Sequence, residues 1–263
     1  MNASRIFSYT LRHLYLYKRS LPRLMEIFYW PVLDLLVWGF ISVYLSTQRG
    51  VVPGVIAFFL GALILWDILF RSQQGISVAF LEDVWSRNLL NVFISPITPG
   101  EYVAALLAIS VMKLAFASTV LTGLAWLLYS FNVFTVGLPL VPLVANLVVM
   151  GWSVGIITMS IILRYGQETE VLAWGIAFLF QPVAAVFYPV AVLPEPLKTI
   201  SHFVPASYVF EGMRQVMAGG AFPMEHIIRA AGLNVIYVAL AALYFTLNFR
   251  AVKRRGLLAK VGE

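Results

Sequence analysis

LAFASTVLTGLAWLLYSFNVFTVGLPLVPLVANLVVMGWSVGIITMSIIL, residues 114–163, runs for 50 positions without one charged side chain. At 1.5 Å rise per residue a single helix of that length would measure about 75 Å. The hydrocarbon layer of a bilayer is only about 30 Å thick, which about 20 helical residues cross. The run must therefore fold back on itself. Ser130, Phe131 and Asn132, followed by Gly137 and Pro139, are the only cluster of turn-forming residues near its middle, so the reversal belongs there. Two antiparallel membrane helices are the result, because a helix satisfies its backbone polar groups without water.

Working outward, the same reading gives six spans: 24–47, 52–72, 102–129, 138–163, 171–193 and 227–249. Asp34 stands in the first, Asp67 in the second, and Lys113 in the third. The whole chain of 263 residues is 61% hydrophobic and 11% charged, with mean hydropathy +0.88. A soluble domain carries about 25% charged residues, so this one would lack polar surface to cover itself in water. The fold class expected is an all-α membrane protein forming a single transmembrane domain. Cysteine is absent and the three histidines are scattered, which excludes disulfides and thiolate sites and argues against a metal centre. No cleavable leader is expected, since 25 or so basic and amphipathic residues precede the first long apolar run.

An even number of spans puts both termini on one side. Arg5, Arg12, Lys18, Arg19 and Arg23 precede the first span, and Arg250, Lys253, Arg254, Arg255 and Lys260 follow the last. Arg71, Arg87 and Arg164 join that side, whereas Arg49, Lys198, Arg214 and Arg229 fall opposite. The positive-inside rule makes the first side cytoplasmic. The net charge of +6 is thereby explained by orientation in the membrane, and no nucleic-acid partner is expected.

Three segments between spans carry structure of their own. In 4–20, Arg5, Arg12 and Arg19 recur every seven residues, the pattern of a helix lying at the membrane surface with its basic side toward lipid headgroups. In 82–96, Glu82, Asp83, Arg87 and Asn88 alternate with Val84, Trp85, Leu89 and Leu90 before Pro96 ends any helix. In 195–225, Pro205 can open a helix and Gly219-Gly220 can close it. Ala206, Phe210, Met213 and Met217 would form its apolar stripe, and Glu211 and Arg214 would pair at i, i+3.

The intramembrane charges need partners, since each costs about 2.5–3.5 kcal/mol at mid-helix. Asp67 lies four residues before Arg71, the spacing of a local ion pair. Lys113 can extend its stem toward the interface. Asp34 has no partner within its own helix and faces either a cleft or a base on another helix. Trp30, Trp66, Trp126, Tyr129, Trp152, Trp174 and Tyr188 stand mostly near helix ends, where interfacial aromatic belts form.

The order of these parts resembles the integral-membrane (permease) subunit of type-2 ABC exporters. The likeness covers nearly the whole chain. It is carried by Phe28-Tyr29-Trp30-Pro31, by Glu82 through Ile94-Ser95-Pro96, and by Phe203-Val204-Pro205-Ala206-Ser207-Tyr208 through Glu211-Gly212-Met213-Arg214. The resemblance implies that the 82–96 segment is a coupling helix, with Glu82, Asp83, Val84, Trp85, Arg87 and Asn88 at or near an ATPase contact. It also implies that 195–225 forms short re-entrant helices with Tyr208, Glu211 and Arg214 at an outer gate. The implied partners are two copies of a P-loop ATPase, a second permease copy and membrane lipid, in a bacterial cytoplasmic (inner) membrane. ATP and Mg would be held by the ATPase, since no G-x-x-x-x-G-K-[ST] occurs here and no cofactor is expected in this chain. A proton-coupled secondary transporter using Asp34, Asp67 and Lys113 is the competing expectation.

Overall fold

The computed structural model describes residues 1–47 and 55–256, so Arg49 and Lys260 of the charge argument lie outside the described residues. Ten α-helices follow in order: α1 Ala3–Lys18, α2 Leu21–Thr47, α3 Val55–Trp85, α4 Leu89–Ile94 and α5 Pro99–Tyr129. After them come α6 Leu140–Tyr165, α7 Leu172–Phe180, α8 Glu195–Ser201, α9 Pro205–Met217 and α10 Met224–Arg254. No strand occurs among the described residues.

The uncharged run is the α5–α6 hairpin. Ser130 ends α5 in the left-handed region at φ 52°, and the Asn132 side chain accepts the Phe134 amide at 2.9 Å. Gly137, at φ 71°, supplies a second positive dihedral, and α6 then begins after Pro139. The other end of α5 starts earlier than expected. Thr98 and Glu101 form a reciprocal capping box around Pro99, so the helix begins at 99 rather than 102.

At the centre stands α3, buried from Leu60 to Val84 except at half-buried Phe70 and Gln74. Its close fit to α6 comes from Gly151 and Gly155, one helical turn apart. A Cβ at Gly151 would lie 2.6 Å from the Leu69 carbonyl oxygen, and one at Gly155 would lie 2.8 Å from that of Gln73. Where lipid tails are as apolar as leucine, small residues that admit close backbone approach and polar side chains that bridge helices supply the association. Both devices recur. Gly75 of α3 meets Ser110 of α5, whose Oγ donates to the Ser72 carbonyl at 3.1 Å and accepts from Trp152 Nε1 at 3.1 Å. Asn234 of α10 donates to the Asn146 side chain of α6 at 2.9 Å.

Among the described residues four helical stretches are long and apolar enough to cross a membrane: Arg23–Leu45, Pro99–Tyr129, Leu140–Tyr165 and Met224–Arg254. Large apolar side chains face outward on them, including Phe40 at 65%, Leu127 at 70% and Val235 at 70% exposure. The expected spans 52–72 and 171–193 behave differently. The first is the leading half of buried α3, which continues well past 72 to Trp85. The second is not one helix. α7 has nine residues, about 13 Å of rise, and ends at Phe180 before Gln181-Pro182. Beyond it, irregular backbone leads to a 3₁₀ turn at Val190–Val192. This segment nonetheless runs antiparallel to α3: Trp174 stacks on Trp85, Phe178 meets Phe70 at 5.1 Å, and Phe187 meets Phe59 at 6.2 Å. Proline removes a backbone donor and clashes with the preceding turn, and an uncharged composition does not reveal that.

Candidate functional site

One end of the bundle gathers α1, the end of α3, α4, the start of α5, and the ends of α6 and α10 around a shared apolar cluster that includes Val84, Leu89, Tyr102, Leu163 and Val252. Inside this packing lie two carboxylates, Glu82 and Asp83, at 8% and 0% exposure. Their side-chain partners come from α1 and α5. Asp83 accepts from the Tyr9 hydroxyl, from Tyr102 Oη at 3.0 Å, and from Arg12 Nη1 at 2.9 Å. Arg12 Nη2 also reaches the Asn88 side-chain amide at 2.9 Å, whose oxygen accepts.

Glu82 accepts from the Tyr17 hydroxyl, with Lys113 Nζ at 4.0 Å and His13 Nδ1 at 3.4 Å. The other His13 nitrogen, Nε2, sits 3.1 Å from Tyr9 Oη, so one imidazole links the two carboxylate clusters. Burial pushes the Glu82 carboxyl up, but the nearby His13 imidazole, the Lys113 charge and the Tyr17 hydroxyl outweigh it and hold it below the ordinary carboxylate value. Burial and the neighbouring Asp83 charge drive the Tyr9 hydroxyl well above the usual tyrosine range, which keeps it a neutral donor.

Two of the three arginines spaced seven apart on α1 reach inward, Arg12 to Asp83 and Arg5 to within 3.6 Å of Glu101, while Lys18 and Arg19 are exposed. Phe7 and Leu14 are among the large apolar side chains the helix leaves exposed. Glu82, Asp83 and Val84 are interior and hold the junction together, next to the exposed residues that follow them. The surface they position begins at Trp85. That ring is 45% exposed, donates to Glu170 at 2.9 Å and stacks on Trp174 at 6.0 Å. Arg87 breaks the helix at φ 51°, and Leu90, Asn91 and Ile94 of α4 are exposed beside it.

A polar stripe descends α3 from this junction. Asp67, Arg71, Gln74 and Glu82 are spaced i, i+4, i+7 and i+15, one face of one helix, a periodicity legible in the sequence. Arg71 Nε donates to Asp67 Oδ1 at 3.2 Å, the local pair expected from spacing. Asp67, Arg71 and Asp34 line one cavity of about 250 Å³ between α2, α3 and α7. Lys113 is not part of that group, since it pairs with Glu82 and lies over the Tyr17 ring at 4.3 Å.

At the opposite end, α9 buries Ala206, Phe210 and Met213 of its predicted stripe completely and Met217 in part, and its polar side binds backbone. Glu211 Oε1 accepts from the Val190 amide at 2.7 Å and from Arg214 Nη2 at 2.9 Å, while Arg214 Nη1 donates to the Ala185 carbonyl at 2.9 Å. These bonds satisfy the irregular chain beyond α7, which buries Ala184, Ala185 and Val186 and has no helix to absorb its polar groups. Burial raises the Glu211 carboxyl, and the bonds from Arg214 and Val190 outweigh it, leaving it below its ordinary value. Tyr208 stands on the adjoining surface, its hydroxyl donating to the His202 carbonyl at 3.2 Å with Arg229 over its ring at 5.9 Å.

No family model matches the chain, and no curated protein matches it.

Proposed function

We propose that this chain is the membrane subunit of a type-2 ABC exporter, forming half of a translocation pathway and driven by a separate P-loop ATPase. In this reading two copies of the chain and two ATPases make the transporter, and the cargo is hydrophobic, lipid-linked or glycan in nature. The chain crosses a bacterial inner membrane six times, with α3 as the second crossing and 171–193 as a broken fifth. Both termini are cytoplasmic.

The observation that carries the proposal is the locked junction of α1 with the end of α3. Three bonds to Asp83 and the Glu82–His13–Lys113 group tie a surface helix to a 31-residue helix that is the buried axis of the bundle. Immediately beyond that lock the chain breaks and presents Trp85, Arg87, Leu90, Asn91 and Ile94. Force applied there reaches α3 through a buried, charge-paired joint instead of dissipating in a loop. Packed helices respond to such a load by shifting as bodies. Glu211, Arg214 and Tyr208 serve in this scheme as the outer closure: Glu211 and Arg214 hold the broken segment at the far end, and Tyr208 stands on the adjoining surface.

The test uses the exposed residues. Arg87→Glu with Ile94→Asp, in the chain co-expressed with its ATPase, is expected to abolish co-purification of that ATPase and substrate-stimulated hydrolysis. The elution profile and unfolding temperature of the membrane chain should stay unchanged. Undiminished co-purification and hydrolysis in that variant, or cargo movement by the purified chain driven by a proton gradient without any ATPase, would defeat the proposal.

A further inference from the structure

The cavity between α2, α3 and α7 has a chemistry that neither packing nor coupling requires. Trp30, Trp38 and Trp66 stand in its wall, and two carboxylates, Asp34 and Asp67, open onto it with a single cation, Arg71. With both acids ionised the lining carries one net negative charge. Arg71 engages only one oxygen of Asp67. The other, Oδ2, is buried and without a partner, on a residue only 7% exposed. Asp34 makes no hydrogen bond or ion pair among the described residues. A buried, unsatisfied carboxylate oxygen costs about 1–3 kcal/mol or more, and that cost falls on Asp67 Oδ2, which faces the cavity that exposed Asp34 also lines.

The indole walls are set in advance. Trp38 stacks on Phe187 at 4.5 Å and 16°, and Phe59 lies beside both rings, 5.9 Å from Trp38 and 6.2 Å from Phe187, a three-ring cluster that fixes the Trp38 plane. Aromatic faces attract cations, tryptophan most strongly, and the attraction grows as water is excluded. An anion would meet two carboxylates and the negative faces of the indoles. A neutral apolar molecule would leave both acids unsatisfied.

We propose that this cavity is a binding site for a monovalent organic cation bearing an apolar or aromatic group, with Asp34 as counter-ion, Asp67 as the second acceptor and the three tryptophans as cage. The site is complete within one chain and needs no ATPase, so it stands or falls independently of the exporter reading.

Phenyltrimethylammonium and benzenesulfonate carry the same ring with opposite charge. Titrated into the purified full chain in detergent and followed by tryptophan fluorescence, the cation is expected to give a saturable change. Its affinity should exceed that of the anion by at least about tenfold. Asp34→Asn should weaken the cation by about tenfold or more. Because Asp34 is exposed, the variant should keep the wild-type elution profile and unfolding temperature. Trp38→Leu, which removes the cage wall and leaves both acids, should weaken it by a smaller factor. Equal affinity for the two ions, tighter binding of benzenesulfonate, or an Asp34→Asn variant that binds as wild type would each overturn the assignment.

Discussion

Asp83 is the residue on which the junction of α1 with α3 turns. It is fully buried and takes three donors from α1 and α5, one of them a guanidinium. Removing Asp83 leaves the buried Tyr9 and Tyr102 hydroxyls without their acceptor, at about 1–3 kcal/mol each. Asp83→Ala should therefore lower the detergent unfolding temperature sharply, and Asp83→Asn, which keeps an acceptor for the two tyrosines, should lower it less. Glu82 adds a pH dependence to the same measurement. Its carboxyl is held below the value it has in the unfolded chain, so the unfolded state binds more protons between the two values. The stability it contributes is complete above the ordinary carboxylate range, about 4.3, and disappears as pH falls through the lower, folded value. Unfolding temperatures measured down this window should fall for the wild type and fall less for Glu82→Gln. A Glu82→Gln variant with the wild-type slope would remove Glu82 from that role. The chemistry of these two acids is visible in the sequence, but their partners are not. Tyr9 and Arg12 lie more than 70 positions away, and nothing local to 82–83 distinguishes an acid awaiting a second protein from one already bound within its own chain.

At the scale of elements, the α3–α6 contact rests on two missing side chains. Gly151→Leu would drive a Cβ to within 2.6 Å of a backbone oxygen that belongs to a buried helix and cannot move away cheaply. Overpacking of this kind costs about 1–3 kcal/mol or more. At Gly123 and Gly232, in contrast, a Cβ would meet nothing within 4 Å, so alanine there should be neutral or slightly stabilising. The comparison to make is the unfolding temperature of Gly151→Leu against Gly123→Ala and Gly232→Ala; similar values for all three would refute the close-contact account. Elements bounded by punctuation are legible in the sequence: Ser130 to Pro139 between α5 and α6, and Pro205 with Gly219-Gly220 around α9. Elements whose limits depend on tertiary partners are not. α3 runs past its expected span to Trp85, where α1 and α5 supply partners to Glu82 and Asp83; the sequence allows helix or loop there and does not set the limit. The fifth expected span breaks after Phe180 because Glu211 and Arg214, some 30 residues on, supply hydrogen bonds that a helix would otherwise have to make for itself. Pro182 is the one local sign of that break.

At the scale of the whole molecule, the four helices long and apolar enough to cross a membrane leave one question of connectivity that decides orientation. α6 ends beside α10, where Arg164 Nη1 donates to Asn248 at 3.0 Å, and α10 itself ends in the same apolar cluster as α1. The chain between Tyr165 and Pro205 must consequently travel the length of the bundle to reach α9 at the other end. It does so with the nine residues of α7 and a stretch of backbone whose polar groups are met by α9. In the proposed six-span arrangement this segment is the broken fifth crossing, which keeps the count even, the termini together and the basic end cytoplasmic. The absence of cysteine allows this to be read directly, because a single introduced thiol is the only one in the chain. Asn91→Cys on α4 and Ala218→Cys after α9 are both at exposed positions, at opposite ends. In intact cells a membrane-impermeant maleimide should label Ala218→Cys at once and Asn91→Cys only after permeabilisation. If both label from the same side, the segment 166–204 does not cross. If Asn91→Cys labels first, the end that carries Trp85 and Arg87 faces away from every cytoplasmic ATPase.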